Sequence, residues 1–402
     1  MSIIDTSPGM DRLDVAGAGS RIRSIEAIPL IAPFSRLYRD GDVPGWLLQP
    51  AASHRTLERK GQYSTLIRVT TEDGVVGVGE CYGLPAPRVT AQIVRDIIAP
   101  LLIGEDALAT DYLWSRVFSS MSGGGQVRGY FLEAISGIDV ALWDIKGKVL
   151  GLPVHRLLGG PHRDRVEVYA SPVPMLDEPG ESADYARSFV DAGFHALKLK
   201  LGRGTRVDIA HAAAVRQAIG PEVDLYVDLN CAYTADRAVD VVRRLIDLDV
   251  TWIEEPVAVD DVAGYRRIRD AFPVTLVNGE TLFTRWDFRD YLQAGAVDVV
   301  MPNLARAGGI TESRKIAALC ETFHVDIAPH GVGSAVGLAA ALQLSASVPN
   351  FRIYEYNRLP NPLRDELATT PFEFSDGMLR VPSGPGLGIE LDWSRVDEFR
   401  AE

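Results

Sequence analysis

Lysine is scarce in this 402-residue chain. Of 41 basic residues only six are lysines, Lys60, Lys146, Lys148, Lys198, Lys200 and Lys315; the others are arginine. Arginine cannot lose its proton in a protein, whereas lysine can, so these few lysines are the positions to watch for proton chemistry. Cysteine is equally rare. Cys81, Cys231 and Cys320 are odd in number, far apart and without ligand spacing. That pattern excludes a disulfide framework and a thiolate metal site, and it predicts a reduced, cytoplasmic setting with the thiols as small buried hydrophobes. No apolar run is long enough to cross a bilayer. The N-terminal MSIIDTSPGMDRLDVAGAGS lacks the basic-then-apolar order of a signal peptide. Acidic residues outnumber basic ones, for a net charge of −13, which speaks against nucleic acid or an anionic membrane surface as a partner.

What is present divides the chain. Residues 1–20 are small and polar, and a disordered tail is expected there. Residues 21–150 begin with strand patterns, RIRSIEAIPLIAPF and a hairpin YSTLIRVTTEDGVVGVGECYG turning at Glu72-Asp73-Gly74. Between them a long loop, about Ser35 to Gln62, is rich in glycine, proline and charge, the composition of a functional or disordered segment. Three helical patterns follow, ending with FLEAISGIDVALWDIKGKVLG, so this region reads as α+β.

From residue 151 to about 370 the rhythm changes to eight short apolar strands, VEVYAS, HALKLK, DLYVDL, VTWIE, VTLVNG, DVVMP, HVDIAP and FRIYE, most separated by helical stretches. Strand alternating with helix predicts a parallel sheet, and eight units predict a closed βα barrel. The C-terminal ends of these strands carry Lys200, Asp228, Glu254, Glu280, Asn303, His330 and Glu355, one polar or ionisable residue per unit. In a barrel those ends meet at one mouth, where active sites lie.

Three carboxylates brought to one mouth repel one another and would raise their own pKa values. A hard divalent cation removes that cost, and three oxygen ligands suit Mg²⁺, with Mn²⁺ chemically acceptable. Of Glu254 and Glu255 only one points inward, and spacing does not say which. Asn230, two residues after Asp228, shares its face. Lys198 and Lys200 also share a face. A lone lysine, with pKa about 10.4, is a poor base near neutrality. A second lysine and a cation beside it both act to lower that value, so the pair is expected to supply a general base. His330 is an acid or base for the other side of the mouth. A metal and a base beside a carboxylate substrate describe removal of a proton α to that carboxylate.

In combination, SGIDVALWDIKGKVLG, KLK, DLN, WIEEP, NGE, MPNLARAGG, APH and the late EY resemble the mandelate racemase/muconate lactonizing enzyme type of the enolase superfamily, from about Arg21 to Phe399. The resemblance implies an α/β fold, a modified TIM barrel (β/α)7β at 151–370, under an α+β capping domain at 21–150 that residues 371–402 complete. It implies Asp228, Glu254 and Glu280 as Mg²⁺ ligands, which settles on Glu254 over Glu255. It implies Lys200 as base, Lys198 as its helper at the substrate carboxylate, His330 as second acid/base and Glu355 as a hydrogen-bonding partner of substrate. Asn230 and Asn303 complete the expected substrate-binding group.

The chain departs from the family pattern once. Asn303 stands where an aspartate normally pairs with the histidine, so His330 is expected to be a poorer base and a two-base racemase is disfavoured. No lysine occurs between Lys200 and Lys315, which excludes the two-lysine arrangement of the muconate lactonizing subgroup. The expected activity is dehydration of a sugar acid to a 2-keto-3-deoxy acid. A cycloisomerase of a sugar-acid lactone or anhydro sugar acid is the alternative, then a racemase or epimerase; a non-catalytic scaffold is the contrary reading. The partner implied is a small-molecule carboxylate, with specificity from the capping domain, where Tyr38, Arg39, Trp46, His54 and Arg55 are candidates. Homo-oligomers are common in the family and one is expected here.

Overall fold

The computed structural model describes residues 20–38, 43–48 and 59–401. The expected N-terminal tail, together with Arg39, His54 and Arg55, lies outside the described residues, apart from Ser20. The first region opens with three antiparallel strands, β1 (Ile22–Pro33), β2 (Gly61–Thr71) and β3 (Val76–Cys81), in the order β1-β2-β3. The hairpin turns at the expected Glu72-Asp73-Gly74, where Gly74 takes a positive φ of 87° that suits glycine. A 21-residue helix, Tyr130–Leu150, packs on this sheet. Its contact with β3 is backbone to backbone, because a Cβ at Gly79 would overlap the Gly137 carbonyl oxygen.

Eight parallel strands follow: β4 (Arg165–Val173), β5 (Ala196–Lys200), β6 (Asp224–Asp228), β7 (Val250–Glu254), β8 (Thr275–Asn278), β9 (Val299–Val300), β10 (Asp326–Ile327) and β11 (Tyr354–Asn357). Each pairs with the next as far as β10, and β11 pairs with β4. A bridge from Ile327 to Phe351 closes the ring. A helix follows each of the first seven strands, whereas β11 leads only to the single turn Pro362–Asp365. The architecture is therefore (β/α)7β. Two further strands, β12 (Phe374–Ser375) and β13 (Met378–Arg380), add to β4, which β13 pairs antiparallel. The last helix, Trp393–Phe399, runs back to β1, where Ala401 N–H donates to the Pro29 carbonyl at 2.8 Å.

Strand alternation builds the barrel interior in layers. Tyr169, Ala196, Tyr226, Trp252 and Ile353 form a buried floor, with the Tyr226 and Trp252 rings stacked at 4.8 Å. Two residues further along the same strands stand Ser171, Lys198, Asp228, Glu254 and Glu355. An apolar floor thus lies directly beneath a charged layer.

Buried carboxylates join the capping domain to the barrel. Glu80 on β3, 1 % exposed, accepts from the Ser334 N–H at 2.8 Å, the Gly337 N–H at 2.6 Å and the Ser334 and Ser64 hydroxyls, so it caps the barrel helix Ala335–Ser347. Asp139 accepts from the Thr311 N–H at 2.9 Å at the start of helix Gly309–Thr322. Asp144 accepts from the Val78 and Leu387 N–H groups and from Lys148. No helix among the described residues is long and apolar enough to cross a membrane.

Candidate active site

The parallel register sets the heights of the charged residues. Lys200 lies beside Asp228, and Asp228 beside Glu254, on adjacent strands. Glu280, two residues past the end of β8, completes a group whose ligand oxygens all lie within 4.8 Å of one another. Asp228 and Glu254 are fully buried. Glu255 has a positive φ of 40° and turns to Thr281, whose hydroxyl donates to it at 2.9 Å. Burial, then the charges of Glu280 and Asp228, push the Glu255 carboxyl up to about 8.

The two lysines reach these acids. Lys198, with no exposed surface, places Nζ 2.7 and 2.9 Å from the two Glu254 oxygens and 2.9 Å from Glu355 Oε1. Lys200 pairs with Asp228. Burial lowers the pKa of both ammonium groups, but the carboxylates around them outweigh it. Lys198 is held well above the usual lysine value, mainly by Glu254 and Glu355, and Lys200 is raised as well, mainly by Asp228. Lys198 lowers the pKa of Lys200, as expected, but by less than Asp228 raises it; the expected second contribution is that of a cation held by Asp228.

Four carboxylates, Asp228, Glu254, Glu280 and Glu355, stand against two ammonium groups. The remaining two negative charges match one divalent cation. Glu280 Oε2 is buried, with His330 Nε2 3.0 Å away. Asn230 spends its backbone N–H and its side-chain NH₂ on Asp228, at 2.8 and 3.1 Å, and leaves its own Oδ1 buried and unpaired. An orphaned hard oxygen beside a charge deficit is what a divalent ion would satisfy.

Glu355 is fully engaged. It accepts from Ser171 Oγ at 2.6 Å and from the Gly331 N–H at 3.2 Å, and His330 Nε2 lies 3.5 Å away. Asn303 faces the other side of the His330 ring, with Nδ2 2.8 Å from Nδ1. The Asn303 Oδ1 accepts from the Ala305 N–H at 2.9 Å, which fixes the amide orientation. The NH₂ group must therefore donate to Nδ1, and the neutral ring carries its proton on Nε2, pointed at Glu280 and Glu355. An aspartate in place of Asn303 would accept a hydrogen bond from an Nδ1–H and leave Nε2 free to act as a base. The departure noted in the sequence thus changes whether Nε2 meets a substrate as a donor or as an acceptor.

Of the capping-domain candidates that are described, Tyr38 and Trp46 pack around Phe34, Leu47 and Leu359, and Trp46 edges onto Tyr185 at 5.9 Å. They serve packing. Three residues of the mouth's wall were absent from the sequence expectations. Arg306 Nη1 donates to the Glu280 carbonyl at 3.1 Å, and its guanidinium lies over Tyr82, 4.7 Å from the ring centre, and over Phe283. Glu133 of the long helix pairs with Arg306 at 3.3 Å. Tyr82, whose N–H donates to the Ala305 carbonyl, therefore brings the capping domain against the segment that carries Asn303. The only available signal was Arg306 inside the NLARAGG motif, which gives no hint of its partners.

Comparison with known proteins decides the lineage. Residues 43–159 match the model of the mandelate racemase / muconate lactonizing enzyme N-terminal domain, and residues 181–395 match that of the enolase C-terminal domain-like family. The chain belongs to the mandelate racemase/muconate lactonizing enzyme family. Within it, the chain is 39 % identical over 346 residues to the D-galactarolactone cycloisomerase of Agrobacterium fabrum, covering 83 % of this chain and 90 % of that one. It is 32 % identical to the D-xylonate dehydratase of Haloferax volcanii, covering 84 % and 85 %. The crystal structure of the 3,6-anhydro-D-galactonate cycloisomerase from Zobellia galactanivorans superimposes with a TM-score of 0.85 at 32 % identity, over 95 % of this chain and all of that one.

Proposed function

We propose that this enolase-superfamily enzyme removes the proton α to the carboxylate of a sugar acid and then expels the β-oxygen. The observation that carries the reading is the convergence at one mouth of four carboxylates, Asp228, Glu254, Glu280 and Glu355, with only two lysines, Lys198 and Lys200, to face them. Asp228, Glu254 and Glu280 would hold Mg²⁺, or Mn²⁺, which when bound supplies a Lewis acid for the substrate's carboxylate oxygens. Lys200 takes the α-proton in its neutral form, which requires the charge of Asp228 to be engaged elsewhere. Lys198, fully buried between Glu254 and Glu355, holds the substrate carboxylate. Glu355 keeps Lys198 and His330 in place.

With its proton on Nε2, His330 donates a hydrogen bond to the departing oxygen rather than accepting a proton. Loss of a β-hydroxyl from a sugar acid as water, on a proton passed from His330 Nε2 that the ring regains from solvent, followed by tautomerisation of the enol, yields a 2-keto-3-deoxy acid. One observation favours a second reading. A lactone's ring oxygen leaves as a carboxylate and needs no proton from an acid, so the fixed donor at Asn303–His330 suits cycloisomerisation of a sugar-acid lactone too. Racemisation is the poorest fit, since it needs a second base on the His330 side. The same reading includes a cytoplasmic homo-oligomer, on the strength of the family resemblance and three free cysteines.

Proton NMR in D₂O tests the reaction. The enzyme with Mg²⁺ is incubated with sugar acids and their lactones. A deuterated 2-keto-3-deoxy acid, formed by the wild type and not by Lys200→Ala, is the expected result. Deuterium uptake at Cα without loss of the β-oxygen would refute β-elimination.

A further inference from the structure

Arg59 lies just before β2, and only 7 % of it is exposed. Its Nη2 donates to Gln62 Oε1 at 2.6 Å, and Gln62 Nε2 donates in turn to the Pro360 carbonyl, three residues after β11. The arginine is therefore tied to the rim of the same mouth that holds Glu355. Its Nε is buried with no hydrogen-bond partner, and its Nη1 makes no hydrogen bond among the described residues. No carboxylate among the described residues faces it; its electrostatic neighbours are the phenols of Tyr82 and Tyr63. The Tyr82 ring in turn lies under the Arg306 guanidinium, 4.7 Å from its centre, and Arg306 Nη1 donates to the Glu280 carbonyl.

Another buried guanidinium shows what satisfaction looks like. Arg364, 6 % exposed, donates to the Asn357 and Leu359 carbonyls and forms a forked pair with Asp365. A buried cation without such partners is costly.

We infer that Arg59 is an anion receptor of the capping domain, which takes the carboxylate at the end of the substrate remote from the reacting α-carbon. The substrate class is then a sugar diacid or its lactone, rather than an acid ending in a hydroxymethyl group. With a lactone, the base takes the α-proton and the electron pair forms the enol double bond. The β-carbon to ring-oxygen bond breaks, and the pair on that oxygen becomes the remote carboxylate that Arg59 receives. This inference rests on the reaction proposed above.

The test measures kcat/KM by NMR for sugar diacids, their lactones and the monoacids of matching configuration, with wild type and Arg59→Met. The expected result is a preference for diacids or their lactones that falls by about 100-fold in the variant, with monoacid turnover unchanged. A wild type that prefers monoacids, or a variant that loses both classes equally, would overturn the inference. Binding is read separately in a Lys200→Ala background with Mg²⁺, as the rise in melting temperature on adding a diacid. That rise should vanish on adding Arg59→Met; its persistence counts against Arg59. A diacid-specific rise that needs Arg59, in a protein whose wild type exchanges no α-proton, would refute the reaction and leave the receptor standing.

Discussion

Two sets of buried carboxylates lie a short way apart in this molecule, and they are satisfied differently. At the seam between the domains, Glu80 and Asp139 face backbone N–H groups and hydroxyls that belong to helix starts and strand edges. At the barrel mouth, Asp228, Glu254 and Glu280 face two lysines and a histidine. A carboxylate held by backbone amides cannot exchange its partners without unfolding something. A carboxylate held by flexible side-chain cations can give them up to an ion or a substrate. The first arrangement stabilises a fold, and the second leaves charge available for chemistry.

That contrast can be broken by mutation. The largest expected effect is at the mouth. Lys200→Ala should lower kcat by about 10³-fold, within the usual range for loss of a general base, while the melting temperature with Mg²⁺ stays within a few degrees of wild type. A variant that instead unfolds would place Lys200 with the seam. Next, Glu80→Gln brings an NH₂ group among the donors on Ser64, Ser334 and Gly337 and should cost about 2–3 kcal/mol in urea denaturation, while kcat per folded molecule is kept. Loss of kcat with stability intact would erase the distinction.

Asn303→Asp tests whether a carboxylate added at the mouth behaves as a chemical one. It should let His330 carry its proton on Nδ1 and should raise deuterium entry from the histidine face by about tenfold, a shift of about 1.4 kcal/mol. Stereochemical analysis of recovered substrate gives the answer; no change in facial selectivity would remove the amide as the cause.

A pH-dependent effect is expected at Asp139, whose carboxyl burial raises to about 7, Thr311 only partly opposing. Its folded pKa exceeds the ordinary aspartate value. Below that ordinary value both states are protonated and pH has no effect. Between it and about 7 the folded state binds the extra proton, so stability falls as pH rises, by at most about 1.4 kcal/mol per pH unit. Chemical denaturation from pH 4 to 8 should show this slope in the wild type and a flatter one in Asp139→Asn. Equal slopes would mean that Asp139 is ionised throughout.

How much of this was legible beforehand follows the range of the interactions. The residues that end β5, β6 and β7 could be read from the chain, because strand alternation and the barrel's common mouth are local and repetitive rules. Strand lengths were less legible: β9 and β10 have two paired residues each, and β11 begins at Tyr354 rather than Phe351. Short apolar runs carry no mark of where ladder pairing stops, since that depends on the neighbouring strand. The carboxylates of the seam lay unmarked in hairpin and helix patterns.

The sequence by itself determined the barrel, the capping fold and the convergence of lysines and acids, since these follow from periods of two and from one polar residue per strand. The tertiary structure alone decided the rest. The Asn303 amide is oriented by the Ala305 backbone, which sets the proton of His330. Asp228 pairs directly with Lys200 and outweighs Lys198 there. Glu80 meets Ser334 across 254 residues of chain, and Arg59 meets no acid at all among the described residues. Contacts between distant segments depend on three-dimensional placement, which no local pattern encodes.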